Sequence, residues 1–214
     1  MKLVKNVLAG CLASVLSAQA ATTITGQAYD TASIGLQSGS ALTSGVVSMG
    51  FYNVAPTRSL FEGYTSAASF LNNFTSIASN PTGIDKYQAL FSVTKDVPTG
   101  DASFDAKQIY LLVGNGSTIA NSTQLGVFTN ASWITAANPS GPTPLAQSFE
   151  ISSLNGDINK ILFGSYVAAA GEYPIDGVVN EYRLQAVTVI PEPNTFALVS
   201  LFGLVALFKR RGKA

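Results

Sequence analysis

Short segments in which apolar and polar residues alternate dominate the middle of the chain. The clearest is 181–186, where Tyr182, Leu184 and Ala186 fall on one face and charged or amide side chains fall on the other. Because successive side chains of a strand point to opposite faces, this period of two predicts a β-strand with one buried face. Two further segments share the pattern, around Phe91 and Val93 and around Phe149 and Ile151.

Residues 109–113 form a continuous apolar run rather than an alternating one. A run of this length predicts a central strand that is covered on both faces. Turn-forming sequences such as Asn115-Gly116 separate these segments from their neighbours. Four more segments are predicted as strands, namely 22–29, 44–53, 123–129 and 160–168.

One segment departs from the period of two. Apolar residues recur at helical spacing in residues 65–79, after Thr65 and Ser66, which are both suitable N-caps. We therefore expect one amphipathic helix there, lying over an open end of a sheet. Eight or so short strands with a single short helix predict a mainly β domain, either a β-sandwich or a jelly-roll-like fold.

Charge is distributed unevenly along a chain whose formal net charge is zero. Residues 21–190 contain eleven of the twelve acidic residues but only six of the twelve basic ones, so this part carries a charge of about −5. An acidic domain argues against binding nucleic acid through phosphate neutralisation, so nucleic acid is not expected as a partner. The remaining basic residues lie at the two ends.

The N-terminal end has the three parts of a signal peptide. Lys2 and Lys5 are followed by an apolar stretch, and Ala18-Gln19-Ala20 then supplies the small residues that signal peptidase requires. We expect cleavage after Ala20, so that the mature chain begins at Ala21. An alternative is the lipobox-like sequence Leu8-Ala9-Gly10-Cys11, which would make Cys11 a lipidated N-terminus, although only five residues separate it from Lys5.

The C-terminal end also has three parts in a fixed order. Pro191-Glu192-Pro193 comes first, an almost wholly apolar stretch over 195–208 follows, and a basic cluster that includes Arg210 and Arg211 comes last. The two prolines favour extended backbone before them, and the apolar stretch predicts a single transmembrane helix. As a helix it would rise about 21 Å, which is short of the roughly 30 Å hydrocarbon core of a bilayer. The basic cluster is expected to stay in the cytoplasm, and so are Lys2 and Lys5 before cleavage.

The end of the chain, over about residues 189–214, resembles the PEP-CTERM sorting domain of Gram-negative bacteria that make extracellular polysaccharide. Pro191, Glu192 and Pro193 match the signature triplet of that family, and Arg210 and Arg211 match its terminal basic cluster. The resemblance implies recognition by an exosortase, a membrane-embedded protease or transpeptidase that acts near the triplet. The alternative is a plain membrane anchor. The expected division is thus a signal peptide in 1–20, an exported domain in 21–190 and a sorting tail in 191–214.

Several kinds of catalytic or metal site are excluded by composition. The chain has no histidine and only one cysteine, so neither a Ser-His-Asp site nor a histidine-ligated zinc site can form, and no disulfide can close within the chain. A glycosidase needs only two carboxylates, for which Glu150, Glu172 and Glu181 are the candidates. Calcium ligands are another option, at Asp96, Asp101 and Asp105, although acidic residues are common in turns for local reasons.

Carbohydrate binding is the most concrete alternative to a purely structural role. Trp133 lies shortly before a Pro- and Gly-rich loop and is the candidate glycan contact, with Tyr52, Tyr64 and Tyr173 as further aromatic residues. A lone tryptophan in a β domain, however, commonly belongs to the core. We expect a non-enzymatic protein without a cofactor, held transiently in the inner membrane and then placed at the cell surface or in the extracellular matrix. The alternatives are a module that binds matrix polysaccharide and a carboxylate-based polysaccharide hydrolase.

Overall fold

The computed structural model describes residues 21–28, 32–80, 91–98, 101–137, 146–151, 161–168 and 180–187. The predicted signal peptide and the predicted C-terminal helix lie outside these residues. Within them, no helix is long and apolar enough to cross a membrane. The chain is mainly β, which confirms the predicted class.

The described residues form twelve strands, one short α-helix and two 3₁₀ helices. The helix α1 spans Arg58–Glu62, and the 3₁₀ helices span Ala67–Leu71 and Ala102–Phe104. The strands are β1 Ala21–Ala28, β2 Ala32–Gly35, β3 Val46–Tyr52, β4 Phe74–Asn80, β5 Phe91–Pro98, β6 Gln108–Gly114, β7 Gln124–Ile134, β8 Ala146–Ile151, β9 Ile161–Phe163, β10 Ser165–Ala168, β11 Asn180–Arg183 and β12 Gln185–Ala186.

The strands are arranged in three sheets. The large sheet has the order β12-β7-β6-β3-β4, with β9 also paired to β7. The N-terminal sheet has the order β5-β1-β8, in which β1 is antiparallel to β5 and parallel to β8. The small sheet has the order β10-β11-β2.

All three sheets contribute to one central core. The large sheet supplies residues such as Met49 and Leu111, the N-terminal sheet supplies Ile24 and Phe149, and the small sheet supplies Tyr182. These side chains are all buried. Two smaller sheets therefore cover one face of the large sheet.

The opposite face of the large sheet carries a second apolar cluster, here called the outer core. It includes Tyr110, Leu112 and Val127 from the sheet, together with Phe61 and Phe70 from the connection between β3 and β4. This connection, residues 53–73, is here called the β3–β4 insert. Its two ends meet, since the Asn53 amide donates a hydrogen bond to the Asn73 carbonyl over 2.9 Å.

The run predicted as a central strand covered on both faces is confirmed. In β6, Ile109, Leu111 and Val113 lie in the central core, whereas Tyr110 and Leu112 lie in the outer core. Both faces of this strand are buried, so polar residues do not alternate with apolar ones in its sequence.

The predicted helix over 65–79 is wrong. The first part of that segment is the 3₁₀ helix Ala67–Leu71, and the second part is the strand β4, which pairs with β3. Asn73, between them, has a φ of 60°, which is incompatible with a continuous right-handed helix. Pairing with β3 takes precedence over the helical spacing of the apolar residues, and the true α-helix begins earlier, at Arg58.

Two predicted strands are each divided in two. The segment 160–168 becomes β9 and β10, separated by Gly164 at a φ of 105°, so the chain passes from the large sheet to the small sheet. The segment 181–186 becomes β11 and β12, which also belong to different sheets. Tyr182 and Leu184 are buried as predicted, but Ala186 is exposed because β12 has joined the large sheet.

Candidate binding face

The outward face of the N-terminal sheet is a polar surface that regular structure organises. Its side chains come from three adjacent strands, and we call this surface the polar face. It consists of Thr23, Thr25 and Gln27 from β1, Ser92, Thr94 and Asp96 from β5, and Ser148 and Glu150 from β8. All eight are exposed or half-exposed, and the charged members are both acidic.

Strand register arranges these side chains in rows. Thr25 lies opposite Thr94 on one side and Ser148 on the other, and Gln27 lies between Ser92 and Glu150. Hydrogen bonds join side chains across the rows. The Thr23 hydroxyl donates to Asp96 Oδ1 over 2.8 Å, and the Thr25 and Thr94 hydroxyl oxygens are 3.2 Å apart. These cross-strand pairs hold several hydroxyls in fixed positions on one surface.

The inward side of β1, opposite the polar face, consists mostly of small residues. The inward positions of β1 are Thr22, Ile24, Gly26 and Ala28, of which only Ile24 is large. A Cβ added at Gly26 would lie 2.5 Å from Leu111 Cδ2. The absence of a side chain at Gly26 therefore lets the large sheet pack directly against the backbone of β1.

The two carboxylates of the polar face are too far apart to form a glycosidase pair. Asp96 is opposite Thr23 and Glu150 is opposite Gln27, on strands that flank β1. Four residues along the strand and two strand spacings place their backbones roughly 16 Å apart. Carboxyl groups that hydrolyse glycosides are separated by about 5 to 9.5 Å.

The other candidate carboxylates are not brought to this face. Glu181 lies on β11, where its neighbours in register are Ser33 and Val167 of the small sheet. Glu172 lies outside the described residues. Of the three candidate glutamates, the structure describes only Glu150 and Glu181. These two lie on different sheets and do not form a catalytic pair.

The three aspartates considered as calcium ligands serve different structural roles. Asp96 lies on β5 and accepts the hydrogen bond from Thr23, while Asp101 caps the 3₁₀ helix Ala102–Phe104 by accepting from the Ser103 amide over 2.9 Å. Hydrogen bonds from Ser103 hold the pKa of Asp101 below its usual value. Asp105 ends the same helix. Within the described ranges, no three acidic or cysteine side chains are grouped as metal ligands would be.

Trp133 lies in the central core rather than on the surface. The residue is only 7 % exposed, and its ring centroid is 6.2 Å from that of Phe149. The Gln108 amide supports this part of β7, since its Nε2 donates to the carbonyls of Asn130 and Trp133 over 2.7 and 3.1 Å. In this arrangement the indole presents no open face to a sugar ring.

The tyrosines considered with Trp133 also face inward where the structure describes them. Tyr52 is buried in the outer core, and its hydroxyl donates to the Phe70 carbonyl over 2.7 Å. Burial raises the pKa of Tyr52 far above its ordinary value, with smaller contributions from Tyr64 and Tyr110. Tyr64 is half-buried against Phe61, with ring centroids 5.7 Å apart, and Tyr173 lies outside the described residues.

The residues of the polar face were not identified as a group from the sequence. The alternation in β1, β5 and β8 shows which residues of each strand face outward. The three segments are far apart in the chain, however, and nothing in their pattern specifies that β1 lies between the other two. Comparison with known proteins found no match among protein-family models, curated proteins or solved structures.

Proposed function

We propose that this chain is an exported surface or extracellular-matrix protein whose domain acts by contact rather than by catalysis. In this proposal the signal peptide is removed after Ala20, and the tail holds the protein in the inner membrane until an exosortase acts near Pro191-Glu192-Pro193. The domain itself is a β-sandwich in which the N-terminal and small sheets together form the second layer. It carries no cofactor.

The observation that carries this proposal is that residues next to both targeting segments are built into the domain. Ala21, the residue expected to follow signal peptidase cleavage, belongs to β1, which pairs along its described length with β5. At the other end, Val187 is buried in the outer core and lies four residues before Pro191. The first and last described strands thus both pair with strands that lie between the two segments assigned to targeting.

Mass spectrometry of both termini of the protein recovered from cells and medium tests the proposal. We expect chains that begin at Ala21 and end close to Pro193. Replacement of both Pro191 and Pro193 by alanine should leave the C-terminal end intact, whereas the control Lys213→Ala, which retains Arg210 and Arg211, should still be processed. Recovery of the unaltered chain only with the intact Lys213-Ala214 end would reduce the tail to a plain anchor.

The polar face favours polysaccharide binding as a second candidate function. Hydroxyl, amide and carboxylate groups held in rows offer several hydrogen bonds to a hydroxylated polymer, and two of the three strands also contribute a carboxylate. This version of the candidate does not depend on Trp133. Retention on matrix polysaccharide should therefore fall in the triple variant Gln27→Ala, Asp96→Ala, Glu150→Ala and should not change in Trp133→Phe.

A matched control for that experiment lies on the opposite side of the molecule. Glu62 is exposed on α1 and pairs with Arg58 over 2.8 Å, so Glu62→Ala removes one surface carboxylate without altering the polar face. Equal retention of the triple variant, the control and the unaltered chain would eliminate the polar face as a glycan site.

A further inference from the structure

The last described strand is short and ends close to the predicted sorting triplet. β12 spans only Gln185–Ala186 and pairs with the first two residues of β7. After it, the Val187 amide donates a hydrogen bond to the Thr123 carbonyl over 2.9 Å, and Val187 is buried in the outer core. A few contacts therefore hold the end of the described chain on the domain.

A glutamine from the turn after β2 holds the other side of β12. Ala186 lies opposite Gln124, whose backbone amide and carbonyl both bond to Asn115 on the far side of β7. The Ala186 amide donates instead to Gln37 Oε1 over 3.0 Å, and the Gln37 amide donates to Gln124 Oε1 over 2.8 Å. Gln37 thus joins β12 to β7. We call Gln37, Thr123 and Gln124 the C-terminal clamp.

The clamp determines how much free chain can precede the triplet. Only residues 188–190 lie between Val187 and Pro191, so the Cα atoms of these two residues can be at most about 14 Å apart. The next firm attachment is Leu184, which is buried and whose amide donates to the Gly35 carbonyl over 2.8 Å. If β12 and Val187 left the domain, the chain from Leu184 to Pro191 could reach about 25 Å.

We propose that the C-terminal clamp controls the access of the processing enzyme to Pro191-Glu192-Pro193. While the clamp is closed, the triplet is kept close to the folded domain and is cut slowly. Opening of β12 lengthens the free segment, and such local opening commonly precedes proteolysis next to a folded domain. Gln37 is a positioning residue in this inference, which rests on the proposed sorting function and adds its regulation.

The variant Gln37→Ala tests the clamp in cells. It removes the acceptor of the Ala186 amide, so the open population, and with it the rate of processing, should rise about two- to fivefold. Pulse labelling follows the conversion of the full chain to the chain that ends near Pro193.

A matched control is Gln147→Ala on β8. Gln147 Oε1 accepts a hydrogen bond from the Ala136 amide, also over 3.0 Å, so the control loses the same kind of contact at a different place. It should be processed at the rate of the unaltered chain. Equal rates for Gln37→Ala and Gln147→Ala would overturn the proposal.

A disulfide makes the opposite change. Ala186→Cys and Gln124→Cys, in a Cys11→Ser chain, place two thiols directly opposite each other, in a pair without mutual backbone hydrogen bonds, where side chains are closest. The oxidised chain should be processed at least about tenfold more slowly than the reduced one, because β12 can no longer open. Equal processing of the oxidised and reduced chains would contradict the clamp.

Added elastase separates the clamp from the sorting function. This protease cuts after small apolar residues such as Ala186 and Val187. In the full chain purified in detergent, cleavage within 186–190, identified by mass spectrometry, should be about two- to fivefold faster in Gln37→Ala than in Gln147→Ala. Equal cleavage would show that there is no clamp. If elastase distinguishes the variants but cells process none of them, the clamp exists, but the sorting function on which its role rests is wrong.

Discussion

The large sheet and the N-terminal sheet differ in how many of their faces are covered. In the large sheet, β6 is buried on both sides, by the central core and by the β3–β4 insert with Phe61 and Phe70. In the N-terminal sheet, β1 is buried only on its inward side, and its outward side chains are hydroxyls and an amide. The sequence shows this difference, because β6 is a continuous apolar run whereas β1 alternates between inward and polar outward positions.

We therefore expect the large sheet to contribute mainly to stability and the N-terminal sheet to offer a face for contact with a partner. A strand with two buried faces has no surface to offer a partner, and its substitutions are expected to affect folding. A strand with one polar face can lose outward side chains at little cost, and that face remains available for contact. The two regions can be ranked by the free energy of unfolding, which the fluorescence of the single, buried Trp133 can report.

The largest effect is expected in the insert that covers the large sheet. Phe70 is fully buried, stacks on Phe61 with centroids 5.2 Å apart and contacts Phe163 at 4.8 Å. Phe70→Ala should lower the free energy of unfolding in urea by about 3 to 5 kcal/mol, because it opens a cavity in the outer core. A loss under about 1 kcal/mol would show that the insert is not part of the cooperative unit.

A smaller effect is expected at alkaline pH. Burial raises the pKa of both Tyr52 and Tyr110 in the folded chain above the ordinary value of 10.0. Because the unfolded chain then releases these protons first, the stability that these two tyrosines contribute should be constant below about pH 9 and should fall above about pH 10, by up to about 1.4 kcal/mol per pH unit for each tyrosine.

The variant Tyr52→Phe separates the two ways in which the Tyr52 hydroxyl affects stability, which are its hydrogen bond and its titration. At neutral pH it should cost about 1 kcal/mol, because the Phe70 carbonyl loses its 2.7 Å hydrogen bond. Above about pH 10 its unfolding midpoint in urea should decline less steeply with pH than that of the unaltered chain. Identical slopes between about pH 9 and 11 would contradict the assignment of this pH dependence to Tyr52.

The smallest effect is expected on the polar face. Thr25→Ala removes one exposed hydroxyl contact with Thr94 and no core packing. The free energy of unfolding should change by no more than about 0.5 kcal/mol. A loss as large as that of Phe70→Ala would mean that the outward side of β1 is packed against something, and the contrast between the two sheets would fail.

The sequence predicted the parts of this fold whose pattern depends on local burial. The run in β6 and the alternation around Phe91 and Phe149 follow from the faces these strands present. The helix over 65–79 was wrong because its apolar spacing fits a helix, whereas pairing with β3 and the φ of Asn73 are tertiary features. The breaks at Gly164 and Leu184 depend on which sheet each half joins.

The candidate site was less predictable than the fold. Glu150 and Asp96 were singled out as acidic residues, but their common face and their wide separation follow from strand order, which alternation does not encode. The role of Gly26 depends on Leu111 of a different sheet. Trp133 stood out because it is unique in the chain, and its burial against Phe149 depends on the packing of β8.

Labelling of a single thiol tests most directly whether this domain folds outside the cytoplasm. Val54 is 70 % exposed on the β3–β4 insert, so Val54→Cys in a Cys11→Ser chain presents one accessible thiol. A membrane-impermeant maleimide added to intact spheroplasts should label this thiol to the same extent as it does after lysis, while a cytoplasmic control protein is labelled only after lysis. Labelling of the introduced thiol only in lysed spheroplasts would contradict the proposed export.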